Sequence, residues 1–427
     1  MTPFRHQGGV LHCEEVSLAA LAKEVGTPAF VYSAAAMEQE ARTLKQALAG
    51  TGDPLIAFAV KANPSLAVLA TFAAQGLGAD VVSGGEYLRA RKAGIAPERI
   101  VFSGVGKTES EMALALDGGL FQFNVESLAE AQALSALALA IGRRAPVSFR
   151  VNPDVAAGTH AKISTGGAQD KFGVSAAEVL AAFARKEELP GLDLQGVAVH
   201  IGSQLTSLDP LEAAFRKVGA LIGELRSAGH AIHVADLGGG LGVQYDPAAP
   251  QPPSPAAYGE MVQRVTRDWN VRLVFEPGRL LVGNAGVLLT RVIRVKPGPE
   301  RPFIILDAAM NDLMRPTLYD AWHGIEAVEP AGQRVVADVV GPVCESGDTF
   351  AKARDTDRVE PGALMVIRTA GAYAATMGSN YNSRTLPAEV LVSGARWSVV
   401  RERQELAALT RGESLPSWWA EQAAASA

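Results

Sequence analysis

The stretch DLGGGLG, residues 236–242, decides how the chain folds. A glycine-rich turn after the first strand of an alternating α/β chain marks an open, doubly wound sheet that binds a dinucleotide. Here the turn closes the seventh strand-like run, IHVADLGGG (232–240). Six runs come before it: LIAFAVKA (55–62), GADVVS (78–83), IVFSG (100–104), FQFNV (121–125), PVSFRVN (146–152) and LQGVAVHIG (194–202). One follows, VRLVFEPG (271–278). Between them lie stretches of helical periodicity such as SLAVLATFAAQ, ESEMALALDGG and DPLEAAFRKVGALIGELRSAG. Eight strand–helix repeats with no fingerprint on the first predict an α/β fold of the (β/α)8 barrel type over residues 28–285.

Beyond residue 285 the texture changes to β-rich runs without long helices: GVLLTRVIRVK, RPFIILDA, RVVADVVGPV, ALMVIRTAGAY and AEVLVSGARWSVVRE. They predict a C-terminal antiparallel β-domain, residues 286–427, which residues 1–27 join because they fit no barrel unit. The tail WWAEQAAASA is expected to be loose, with its two tryptophans packed on the body.

The strand ends carry the chemistry, as they do in barrels of this kind. They present Lys61, Asp80, Ser83, Arg150, His200, Ser203, Gly238, Gly239, Gly240, Glu276 and Arg279. Any one could be a satisfied polar group; together they outline one rim. Lys61 raises the sharpest question, because it follows five apolar residues, and a buried ammonium costs several kcal/mol unless paired, neutralised or covalently engaged. Condensation with an aldehyde cofactor answers it, and pyridoxal 5'-phosphate (PLP) is such an aldehyde. The Gly238–Gly240 amides suit its phosphate, His200 its flat face and Glu276 its ring nitrogen. A carboxylate about 4 Å from that nitrogen is worth roughly 4 kcal/mol at an effective dielectric of about 20, enough to keep the ring protonated at neutral pH.

Composition removes other classes of function. The 427 residues are 48% hydrophobic with 39 basic and 45 acidic side chains, a formal net charge of −6, and no basic run for nucleic acid. No apolar run reaches the ~18 residues of a membrane span, and the N-terminal residues lack a signal-peptide core, so a cytoplasmic location is expected. Cys13 and Cys344 form no disulfide framework, and His12, His160, His230, His233 and His323 show no metal-ligand spacing, so no metal is expected.

FAVKAN, HIGSQ, DLGGG, EPGR, RPTLYDAWH, CESGD and GAY, in this order from about Leu11 to about Arg401, resemble the motifs of the fold-type III PLP-dependent decarboxylases. The resemblance is nearest to the branch acting on diaminopimelate. It implies an alanine-racemase-like barrel with PLP carried on Lys61, His200 stacked on the ring and Glu276 at the ring nitrogen. Ser203, Gly239, Pro277, Gly278 and Arg279 then lie near the phosphate, with Asp80 and Arg150 as supports and Tyr373 touching cofactor and substrate. It also implies a head-to-tail homodimer in which Cys344 and Glu345 reach the neighbouring subunit's site, and places His160 near the substrate. Without it, Arg315 and Tyr319 read as surface residues capping a loop.

The expected reaction is PLP-dependent decarboxylation of meso-2,6-diaminopimelate to L-lysine and CO2, with Cys344 as proton donor, since a thiol is mostly protonated near pH 7 yet yields its proton readily. Such a substrate carries a distal ammonium and a distal carboxylate. Glu345 meets the first; Arg279 and Arg315, with Tyr319 and Tyr373, meet the second. Ornithine, arginine and carboxynorspermidine remain alternative substrates, although relatives acting on ornithine typically carry Asp where Glu345 stands. A noncatalytic PLP-binding regulator is the alternative from another class, and the joint presence of Lys61, Glu276 and Cys344 speaks against it. A racemase of this fold would place arginine, not Glu276, at the ring nitrogen.

Overall fold

The computed structural model describes residues 3–156, 165–167 and 170–419. His160 therefore lies outside the described residues. Eight parallel strands close into a barrel: Leu55–Ala59, Gly78–Val81, Ile100–Phe102, Gln122–Val125, Ala145–Arg150, Leu192–Ala198, Val234–Asp236 and Arg272–Phe275. Closure is made by Val274 and Phe275 of the last strand pairing with Leu55 and Ile56 of the first.

Most of the outer helices start where the sequence supplies an oxygen for orphan N–H groups, Leu66–Ala74 and Asp209–Ser227 being exceptions. Ser83 caps Gly84–Lys92 by accepting from the Glu86 N–H, and Thr108 and Glu111 form a capping box on Glu109–Asp117. Ser83 is thus a helix cap and not part of the site. After the eighth strand comes only the short helix Arg279–Val282, and the place of a long eighth helix is taken by Ala34–Ala47, which packs against the helices Leu66–Ala74 and Pro255–Thr266.

Inside the barrel the two ends differ. Leu55, Ala57, Val101, Val234 and Val274 form an apolar floor, while Asp80, Ser103, Asn124, Ser148, Asp236 and Glu276 are buried polar residues nearer the strands' C-terminal ends, with Gln122 buried below Asn124 at the start of its strand. Burying that many polar groups is tolerable only if they satisfy one another.

The second sheet has nine strands and is mixed: most pairs are antiparallel, but Phe303–Leu306 runs parallel to Arg334–Val340, and Ala388–Ser393 parallel to Ala29–Ser33. Ala29–Ser33, expected within the barrel segment, lies in the middle of this sheet between Gly286–Lys296 and Ala388–Ser393. It is buried at every position, as a central strand must be. The edge strand Thr349–Asp357 escaped the sequence reading because its charged residues hide the alternation; such charges protect an edge from pairing with other chains.

Residues 4–17 form a small three-stranded sheet tied to the second sheet by the Leu11 N–H donating to the Val328 carbonyl at 2.8 Å. Cys13 is buried there, in an apolar cluster with Leu18, Val31 and Val390. Trp418 and Trp419 are exposed, at 59% and 53%, so the expected packing of the tail tryptophans is not found in the single chain. Among the described residues no helix is long and apolar enough to cross a membrane.

Candidate active site

Lys61 sits in a tight turn, Val60–Ala62, directly after the first barrel strand, which swings its side chain over the barrel mouth. Its Nζ donates to Asp80 Oδ2 at 2.6 Å, with Asp80 fully buried and Lys61 keeping 35% of its side-chain surface open to the cavity. Burial pulls the ammonium's pKa down, but Asp80, Glu276 and Tyr373 outweigh it and leave it raised. The lysine is thus paired. It is also reachable, in a cavity of about 390 Å3 lined by Ser103, Asn124, Arg150, His200, Asp236 and Glu276 among others, a size suited to a cofactor.

His200 is held as a neutral ring. Its Nδ1 accepts the Gly239 N–H at 3.2 Å, and burial, with Arg150 and Lys61 close by, pushes its pKa well below the usual value. Arg150 lies beside it, donating to the His200 carbonyl at 3.3 Å and to Glu126 Oε1 at 2.9 Å, with its guanidinium over Phe172. The glycine run behaves differently from expectation. Gly238 donates to Asp236 Oδ1 and Gly239 to His200, so two of the three amides serve the protein's own side chains. No helix begins at the run either; the next starts at Pro255. What glycine provides here is close approach, since a Cβ on Gly239 would lie 2.2 Å from the Glu276 carbonyl.

Glu276 faces a network that sequence reasoning missed. Its Oε1 accepts from Ser103 Oγ and Asn124 Nδ2, each at 3.1 Å; Asn124 also donates to Asp236 Oδ2 at 2.9 Å and accepts from Gln122. Burial first, then the Asp236 and Asp80 charges, raise the Glu276 pKa well above the carboxylate range. Burial raises Asp236 too, but the Asn124 amide and Gly238 N–H oppose it. The shared proton therefore rests on Glu276. Asn124 and Ser103 stood at the ends of two recognised strands, FQFNV and IVFSG; a polar residue on the inward face there was the available signal.

A folded-state pKa above the unfolded value means stability is lost as pH rises from the ordinary carboxyl range toward the raised one. The cofactor-free protein is expected to lose stability relative to Glu276→Gln as pH rises above about 5. The difference is the quantity to measure, by thermal melts, because the buried neutral His200 and His323 change stability with pH in the opposite sense. Parallel pH profiles for the two proteins would contradict the assignment.

Next to Lys61 a second cavity is lined by Ser203, Gly238, Gly239, Gly240, Glu276, Pro277, Gly278, Arg279 and Tyr373. The Ala59 N–H donates to the Pro277 carbonyl at 3.0 Å, and a Cβ on Gly278 would meet Ala59, Ala62 and the Tyr373 hydroxyl within 3.3 Å. Tyr373 adopts φ +53°, a strained value for a tyrosine, and its N–H holds the Ala62 carbonyl at 2.8 Å. Arg279 donates to Ser203 Oγ at 3.1 Å and to Tyr245 Oη at 2.5 Å, and its guanidinium lies over the Tyr373 ring. Arg315 is buried close by, over the Tyr245 ring and bonded to His323. Tyr319 completes the neighbourhood of both arginines. Among the described residues neither arginine has a carboxylate within ion-pair distance, and the Nε of each is buried without a partner.

Cys344 and Glu345 are exposed and absent from both cavity walls. The Cys344 N–H donates to Asn382 at 3.2 Å, and Glu345 accepts from Tyr381 Oη at 2.7 Å. Of the other expected site residues, Arg150, His200, Ser203, Gly238, Gly239, Gly240, Glu276, Pro277, Gly278, Arg279 and Tyr373 line the two cavities with Lys61, Asp80 pairs with Lys61, and Arg315 and Tyr319 lie near Arg279.

A lysine held by a carboxylate at a barrel mouth, beside a neutral histidine and a protonated carboxyl, defines a site for an aldehyde cofactor. A reachable Nζ at Lys61, and beside it a cradle at Gly278 that a Cβ would crowd against Ala59, Ala62 and the Tyr373 hydroxyl, fit the aldehyde and phosphate ends of PLP. Residues 34–283 match the family model for the pyridoxal binding domain of pyridoxal-dependent decarboxylases. The diaminopimelate decarboxylase of Zymomonas mobilis is 54% identical over 98% of this chain and its own full length. Crystal structures of diaminopimelate decarboxylase in complex with L-lysine superpose closely: that from M. jannaschii with a TM-score of 0.93 at 34% identity, covering 97% of this chain and 98% of that one, and that from Helicobacter pylori with 0.89 at 38%, covering 92% and 98%. The chain belongs to the diaminopimelate decarboxylase family of PLP-dependent enzymes.

Proposed function

We propose that the protein removes one carboxylate from meso-diaminopimelate, using PLP held on Lys61, to give L-lysine and CO2. The observation that carries the choice of substrate is the pair Arg279 and Arg315, two buried guanidinium groups against one Tyr245 ring, the first of them lining the Lys61 cavity, with no carboxylate of the described residues within ion-pair distance. A buried charge without a counter-ion is costly, and a pair of like charges more so. Burial and Arg279 both lower the Arg315 pKa. A substrate carboxylate relieves this; a diamine precursor with no second carboxylate does not.

PLP, when bound, supplies the electron-withdrawing ring that takes up the electron pair of the breaking C–C bond. The chain does the rest. Lys61 provides the amine, aimed by Asp80. Neutral His200, fixed by Gly239 and Arg150, sets the plane against which the ring lies. Glu276 offers its proton toward the ring nitrogen, leaving a carboxylate that Ser103 and Asn124 already hydrogen-bond. Ser203, Gly240, Pro277, Gly278 and Tyr373 shape the phosphate end.

Two parts of a complete site are exposed in the single chain. Cys344 as proton donor and Glu345 as partner of the distal ammonium act, in this reading, from the second subunit of a head-to-tail homodimer. Their exposure on a loop away from their own cavity supports that. A cytoplasmic location belongs to the same proposal.

Incubating PLP-loaded protein separately with meso-diaminopimelate, L-ornithine, L-arginine and carboxynorspermidine, while measuring CO2 and amine product, tests the reading. Lysine from diaminopimelate alone is expected. Release from another substrate would overturn the specificity assigned to the arginine pair, and silence with all four would leave a PLP-binding regulator.

A further inference from the structure

His323 stands next to the arginine pair and has no role in what has been described so far. It is fully buried. Its Nδ1 lies 2.8 Å from the Arg368 carbonyl and its Nε2 lies 2.8 Å from Arg315 Nη1. A carbonyl only accepts, so Nδ1 carries the hydrogen; a guanidinium only donates, so Nε2 must present its lone pair. Both contacts are satisfied by one species alone, the neutral Nδ1–H tautomer. A protonated ring would point an N–H at an N–H. The charged groups around it are all cationic: Arg315, Arg279 and Arg354, the last donating to the His323 carbonyl at 2.7 Å. Together with burial they push its pKa to about 3.

Tyr245 completes the arrangement from another element, the coil after the glycine run. Its ring lies 4.2 Å from the Arg315 guanidinium carbon and 5.7 Å from that of Arg279, and meets the His323 ring edge-on at 5.1 Å. Its hydroxyl accepts from Arg279. The negative face and oxygen of one tyrosine thus serve both cations, which lets two like charges stay close in a dry site.

We propose that His323 and Tyr245 are positioning residues for substrate recognition: they hold Arg279 and Arg315 side by side, with their remaining N–H groups turned to a single carboxylate. This rests on the diaminopimelate reading above. The Nε groups of both arginines are left without protein partners, while Nη1 of Arg315 is tied back to His323 and Nη1 and Nη2 of Arg279 to Tyr245 and Ser203. Fixing one edge of each guanidinium aims the other, and a preoriented fork loses less freedom when a carboxylate arrives.

L-Lysine, which keeps one carboxylate, and pentane-1,5-diamine, which has none, separate recognition from general damage. Calorimetric titration of each into the PLP-loaded protein is the measurement. His323→Phe is expected to raise the Kd for L-lysine about 10- to 100-fold, the loss typical of a hydrogen bond to a charged group, and to leave the diamine unchanged. His323→Gln, whose amide oxygen can replace Nε2 as acceptor, should recover most of the lysine affinity. Tyr245→Leu should behave like His323→Phe, and carries the test if the phenylalanine variant does not fold. Equal weakening of both ligands, or a glutamine variant as poor as phenylalanine, would overturn the proposal. A native protein that binds lysine no better than the diamine would instead overturn the substrate reading on which it stands.

Discussion

Lys61→Ala is expected to abolish both turnover and the visible absorption of the lysine-bound cofactor. The two losses have one cause, because among the described residues no other lysine lines either cavity, and Lys107, in the loop after the third strand, is spent on Glu130 at 2.6 Å. Stability should change as well. Asp80 is fully buried, its Oδ1 already has no partner, and deleting its cation leaves a buried carboxylate alone. For a fully enclosed pair that costs roughly 3–5 kcal/mol; the partial exposure of Lys61 puts this case at or below the lower end. Lys61→Arg keeps the charge but cannot condense with an aldehyde, so it should melt near the native protein and be equally inactive. The double variant Lys61→Ala/Asp80→Asn should regain stability without regaining activity. A Lys61→Ala protein that keeps its visible band and turns over would end the assignment.

Cys344→Ala should slow turnover far more than it weakens PLP binding, because the thiol lies outside its own chain's cavity. The sharper result comes from mixing. If each site takes Lys61 from one subunit and Cys344 from the other, Lys61→Ala and Cys344→Ala are both nearly inactive alone. Hybrid dimers formed from them contain one site with both residues intact. Random exchange of subunits should then return about a quarter of native activity, since half the dimers are hybrids with one good site of two. No recovery after verified exchange would place Cys344 and Lys61 in the same subunit's site, or make the thiol structural.

The barrel was legible because its signal is local and repeated. Each strand is a short apolar run, each helix has a periodic face and a capping side chain, and their order needs no long-range information. Lys61, Asp80, His200, Glu276 and Arg279 could be picked out for the same reason: all stand at the ends of those runs. Tyr245 and His323 could not. The first lies in coil and the second after a short helix, and nothing in either's neighbours indicates that they meet across 78 residues of chain. The strand Ala29–Ser33 was misplaced because AFVYS is equally apolar in a barrel or in a central sheet position. Only its neighbours on both sides, Gly286–Lys296 and Ala388–Ser393, distinguish the two.

The glycine run shows the same boundary within a single motif. Its composition requires that backbone pass close to backbone there, and the 2.2 Å approach between a would-be Cβ of Gly239 and the Glu276 carbonyl is that requirement realised. Of the groups its amides serve, Asp236 lies on the run's own strand, and His200 is brought alongside only by the end of the sixth.

By itself the sequence determined which residues were available for chemistry and the closed order of strands that carries them to one rim, because propensity, capping and alternation act over a few residues. The tertiary structure decided which carboxyl keeps a proton, which tautomer His323 adopts and which arginines go without a counter-ion. Those are properties of burial and of partners 2.5–3.2 Å away but far along the chain, and desolvation is set only once the whole barrel and its second sheet have closed around them.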